Sequence, residues 1–175
     1  MEFLSLRLTF LSLFCLLFLT IPAWGNLDPV LELHFFKSQK DCHTLKNYLY
    51  LNKEKKELFE QKLGQKIDSA IFRRYELRCL KRKGSVYIVN GLVRSHYMTL
   101  LVYAEKELIK NIEVVSFTEP SEYRPKEGWI KSLEGKSFSN NIDVDGISGA
   151  TLTTQTTKNL LNQVKIMENY FHDKK

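Results

Sequence analysis

Apolar side chains first recur at helical spacing. Leu45, Tyr48 and Leu49 stand at i, i+3 and i+4 behind Asp41 as a cap, and predict a short helix. A second helix is predicted over Lys53–Leu63, with Asn52 as N-cap and Gly64 just past its end. Its apolar face is Leu58, Phe59 and Leu63; the Lys and Glu face reads as solvated. The period then becomes two. Tyr75, Leu77 and Cys79 alternate with Arg74, Glu76 and Arg78, the mark of a half-buried strand. Lys81-Arg82-Lys83-Gly84 predicts a turn, residues 86–89 a strand, and Asn90-Gly91 a two-residue hairpin. Strands follow over residues 92–103 and 108–117, joined by a turn at 104–107. Four sequential strands with short turns, over residues 75–117, imply an antiparallel meander.

After the sheet comes a polar loop, residues 118–125, with two prolines. Residues 128–133 predict a short helix bearing Trp129 and Leu133, and 135–141 a loop. The last helix is expected over 153–171, with Leu160, Leu161, Val164, Met167 and Phe171 on one stripe that reads as core packing. The fold class expected is α+β: an antiparallel β-meander packed with helices and closed by an amphipathic C-terminal helix.

The N-terminus departs from both periods. Residues 8–21 carry no charge, follow Arg7, and end before Ala23-Trp24-Gly25. A short apolar run closed by a small-x-small step predicts a signal peptide cut after Gly25. The run is short for a bilayer span of ~20 residues, and an uncleaved anchor is the rival reading. Composition excludes collagen-like and disordered classes, with 43% hydrophobic and 26% charged residues. The net charge of +6 favours anionic partners such as phosphate groups or anionic membrane surfaces, and is too mild to indicate nucleic acid. The basic cluster Arg78, Lys81, Arg82, Lys83 reads as a solvated hairpin tip. Past residue 25 two cysteines remain, Cys42 and Cys79. In an exported chain they permit one disulfide, and two unpaired thiols stand equally open.

CxxC, HExxH, GxGxxG and GxxxxGK[ST] motifs are absent, and His34, His43, His96 and His172 lack ligand spacing. Metal and thiol catalysis are therefore disfavoured. The chemistry gathers in Asp145-Gly146-Ile147-Ser148-Gly149-Ala150-Thr151-Leu152-Thr153-Thr154. Small residues before a helix let backbone approach an anion, Gly149 permits positive φ, and free N–H groups at a helix start can face a phosphate. The same residues also read as a plain loop with Thr153 or Thr154 as helix cap.

Asp145-x-x-Ser148-Gly149-Ala150-Thr151 resembles the flavinylation motif of the FMN-binding domain family, which includes flavinylated subunits of the sodium-translocating NADH:quinone oxidoreductase and the Rnf complex. The resemblance covers residues 86–171 and looks like the smaller, stand-alone exported members. It implies that Thr151 carries FMN through a phosphoester placed by a separate flavin transferase, with Asp145, Ser148, Gly149 and Ala150 as the recognised motif. Where the respiratory subunits have Glu-Thr-Pro-Gly, this chain has Thr118-Glu119-Pro120. Glu119 and Trp129, with Pro120 and Tyr123, are expected to border the isoalloxazine ring. The domains expected are residues 1–25 as signal or anchor, 26–84 as a helical part with the first strand, and 85–175 as the FMN-binding domain. The implied function is an extracytoplasmic electron carrier between a membrane redox partner and an exported acceptor, rather than an independent enzyme, with no nucleic acid involved. The alternative is a flavin-free exported binding module.

Overall fold

The computed structural model describes residues 42–67, 69–138, 142 and 144–172; the expected signal segment lies outside them. Residues Asp41–Lys175 make one compact unit. Its frame is a five-stranded antiparallel sheet in chain order: β1 (Cys42–Tyr50), β2 (Ile71–Cys79), β3 (Lys83–Leu92), β4 (Tyr97–Glu105) and β5 (Leu108–Phe117). Helix α1 (Lys53–Leu63) joins β1 to β2. A 3-10 turn (Ser121–Tyr123), α2 (Glu127–Lys131) and the long α3 (Thr151–His172) follow the sheet. The expected meander is present, with one strand more than the sequence suggests. The domain boundary expected between residues 84 and 85 falls inside β3.

The extra strand corrects the helix expected around Leu45. Cys42–Tyr50 pairs with Ile71–Cys79 along its whole length. Aromatic and β-branched residues such as Thr44, Tyr48 and Tyr50 favour extended chain. β1 is an edge strand, and among its described side chains, 43–50, only Leu49 of the apolar residues is buried, so no period-two pattern marks it. Helix α1 has the predicted bounds and caps: the Asn52 side chain accepts from Lys55 N, and Gly64 is left-handed at φ 66. Its face is narrower than expected, with Phe59 buried and Leu58 exposed.

The hairpin expected at Asn90-Gly91 is displaced. Both residues lie inside β3, opposite Thr99 and Met98, and the chain reverses at residues 93–96. Gly91 serves close packing instead: a Cβ there would stand 2.8 Å from Thr156 Cγ2 and 3.1 Å from Leu160 Cδ2, both on α3. The β4–β5 turn uses Lys106 and Glu107, at φ 49 and 64, the positive values of a type I′ turn. Gly84 likewise belongs to β3 rather than to the preceding turn. The tip at residues 80–82 is exposed.

One sheet face forms the main core. Phe72, Val89, Met98, Leu100, Val102 and Ile112 pack beneath Leu160, Leu161, Val164 and Met167 of α3, the stripe seen in the sequence. Phe59 of α1 meets Phe72 and Tyr170 at 6.5 and 6.2 Å between ring centroids. Arg74 and Glu76, expected on a solvated face, are buried. The Arg74 guanidinium donates from Nε and Nη2 to Ser85 Oγ at 3.0 and 2.8 Å and lies 4.8 Å from the Phe171 ring centroid. Beside it the Tyr87 hydroxyl donates to the buried Glu168 carboxylate. Burial and that carboxylate push the Tyr87 phenol upward. Cys79 is disulfide-bonded, and Cys42 is the residue the ladder places opposite it. Among the described residues no helix is long and apolar enough to cross a membrane.

Candidate functional site

In a meander alternate turns share one end of the sheet, so the β3–β4 turn and the exit from β5 lie together. The start of α3 meets them there, and the three segments line a cavity of about 150 Å³. Val93 and Arg94 come from the turn, Glu119 and Tyr123 from the segment after β5, and residues 149–153 from the entry to α3.

Each segment is held by identifiable bonds. Glu119 is buried, and its Oε1 accepts from Ser95 N at 2.7 Å and His96 N at 2.9 Å. These bonds, led by that from Ser95 N, outweigh desolvation and hold the carboxyl well below its ordinary range, at about 2. Val93 N donates to His96 O at 3.0 Å and closes the turn. The 3-10 turn is tied to α3 by Thr153 Oγ1, which donates to Tyr123 O at 2.8 Å. Arg94 is exposed, and its guanidinium carbon lies 5.3 Å from the Tyr123 ring centroid. No carboxylate pairs with it among the described residues.

Helix α3 begins at Thr151, two residues earlier than expected. Its first internal bond runs from Thr154 N to Ala150 O at 3.1 Å, so the N–H groups before Thr154 lack intrahelical acceptors. Gly149 has φ 78, as its predicted freedom requires, and a Cβ there would meet nothing within 4 Å. Conformation rather than space demands this glycine. Ala150 is buried, while Ser148 and Thr151 are exposed.

The hydroxyls of the motif are thereby sorted. Thr153 is 1% exposed and bonded to Tyr123 O, so it is no free cap. Thr154 Oγ1 accepts from Ile147 N at 3.1 Å and donates to Ala150 O at 3.3 Å. Ser148 and Asp145 do not line the cavity; Thr151 does, and its side chain is exposed. Trp129 also lies outside the cavity lining, half-buried against the core, with its indole Nε1 donating to Asp145 O at 3.0 Å. That bond ties α2 to the motif loop. Arg94 and Val93 escaped the sequence reading, which put the hairpin at Asn90-Gly91 and so placed them inside a strand. Among the described residues no group of three or more His, Cys, Asp or Glu is placed to hold a metal ion.

Residues 95–165 match the family model described as FMN-binding domain. The match takes in β4, β5, the segment after it, the motif loop and most of α3. Neither the curated proteins nor the solved structures yield a match to this chain.

Proposed function

We propose that the chain, whose residues 95–165 match the FMN-binding domain model, is an exported electron carrier with FMN joined covalently to Thr151. The observation that carries the reading is the convergence of a free, exposed Thr151 hydroxyl and a helix start on one cavity. A phosphate joined to Thr151 Oγ would lie where the first N–H groups of α3 and its positive dipole end favour an anion. Gly149, at positive φ, turns the chain so that Thr151 opens the helix. Val93, Leu152 and the Tyr123 ring offer apolar cover to a flavin, and Glu119 holds the turn that brings Val93 there.

The cavity, at about 150 Å³, is small beside pockets of ~300–1,000 Å³ that enclose drug-sized ligands. So shallow a site would hold a free flavin weakly, which favours a tether. When bound, FMN supplies the redox chemistry, and the chain supplies attachment, orientation and electrostatics. A flavin transferase is the maturation partner under this reading. The disulfide at Cys79 supports an oxidising, extracytoplasmic location. A membrane donor and an exported acceptor complete the relay, and no acid–base pair on the cavity wall argues for independent catalysis.

Co-expression with a flavin transferase, followed by denaturation and acid precipitation, tests the reading. Flavin absorbance that stays in the washed pellet is expected. A colourless pellet from a chain exposed to active transferase would favour the flavin-free binding module.

A further inference from the structure

We infer that Arg94 is the cation that meets the negative charge acquired by the flavin ring on reduction, and so sets its reduction potential; this rests on the FMN reading of the cavity. Two charged side chains line the cavity, Arg94 and Glu119. Glu119 is turned inward and its charge is spent on Ser95 N and His96 N. Arg94 is left as the cavity's one uncompensated charge, on a turn that Glu119 holds in place. Its guanidinium lies over the Tyr123 ring, and a planar cation of this kind packs readily against a second aromatic plane.

Two negative groups could draw this cation, and their charge in the two redox states separates them. A phosphate at Thr151 would be served by the N-terminal N–H groups of α3. Arg94 comes to the cavity on the β3–β4 turn, next in sequence to apolar Val93 and over the Tyr123 ring, the two groups that would give a flavin ring its cover. Adding two electrons and one proton to a neutral flavin ring leaves one negative charge. The phosphodiester charge, by contrast, is the same in both redox states. A cation beside the ring therefore raises the potential, whereas one on the phosphodiester leaves it unchanged.

Arg94 is exposed, so water and salt screen the pairing. An attraction of ~1 kcal/mol for charges 4 Å apart in water corresponds to about fivefold in the equilibrium between redox forms. At ~30 mV per tenfold for a two-electron couple, that is a fall of ~20 mV on removing the charge. The experiment is a spectroelectrochemical titration of flavinylated wild type, Arg94→Gln and Arg94→Lys at low and high salt. Arg94→Gln should lower the potential, Arg94→Lys should retain most of the wild-type value, and added salt should narrow the gap. A loaded Arg94→Gln protein with the wild-type potential overturns the inference and leaves the FMN reading intact. An Arg94→Gln chain that stays colourless while wild type is loaded also overturns it, in favour of a role in attachment. A wild type that never acquires flavin overturns the FMN reading itself.

Discussion

Glu119 shows how one buried carboxylate can shape a site. Its oxygen replaces the water that Ser95 N and His96 N would otherwise bind, and those bonds hold the charged form well below the ordinary 4.5, at about 2. Folding thus favours the ionised carboxylate. Its contribution is present above pH 4.5 and fades as pH falls toward about 2. Thermal unfolding of wild type and Glu119→Gln should therefore differ near neutral pH and converge in strong acid; a gap independent of pH would contradict this. Thr153 poses a complementary case, since its hydroxyl is fully engaged. Thr153→Val should weaken the tie between the 3-10 turn and α3 by about 1 kcal/mol yet leave covalent flavin in place, as mass measurement of the loaded protein would show. Loss of the flavin in that variant would shift the attachment away from Thr151.

At the scale of elements, side-chain contacts across the sheet decide what the sequence pattern could not. Asn90-Gly91 carries the strongest local turn signal of the chain, yet α3 claims Gly91 for close approach. Thr156 cannot swing aside freely, because its Oγ1 donates to Leu92 O at 2.8 Å. Gly91→Ala should cost ~1–3 kcal/mol, the usual penalty of overpacking, measurable by denaturant unfolding; a neutral effect would show that the helix yields. The period-3.6 stripe of α3 and the caps of α1 were legible because each is a local, repeated pattern. Strand β1 was not, since an edge strand with one buried apolar residue among its described side chains has no alternation to display. Arg74 and Glu168 were illegible for another reason: their burial depends on partners distant in sequence. Tyr87→Phe should leave the Glu168 carboxylate short of its donor and destabilise the fold by ~1–3 kcal/mol. Tyr87→Phe combined with Glu168→Leu should recover part of that loss, whereas additive losses would mean that the pair is not coupled.

For the molecule as a whole, the motif from Asp145 to Thr151 showed where chemistry gathers but not what surrounds it. Thr151, Gly149 and Ala150 could be read as part of a site because their types and spacing are local. Arg94 and Tyr123 come to that site only through the meander, which returns the β3–β4 turn and the exit of β5 to the same end. The hydroxyls of Thr153 and Thr154 are occupied by Tyr123 O and by Ile147 N and Ala150 O, bonds that no local pattern announces. Together these features make a shallow wall that carries an exposed threonine hydroxyl and an exposed cation, suited to a tethered cofactor rather than an enclosed one. The direct test is peptide mapping by mass spectrometry of wild type and Thr151→Ala, each co-expressed with a flavin transferase. The wild-type peptide containing Thr151 should be heavier by one FMN less water, and Thr151→Ala should be unmodified and colourless. A covalent flavin retained by Thr151→Ala, or mapped to another residue of wild type, would contradict it.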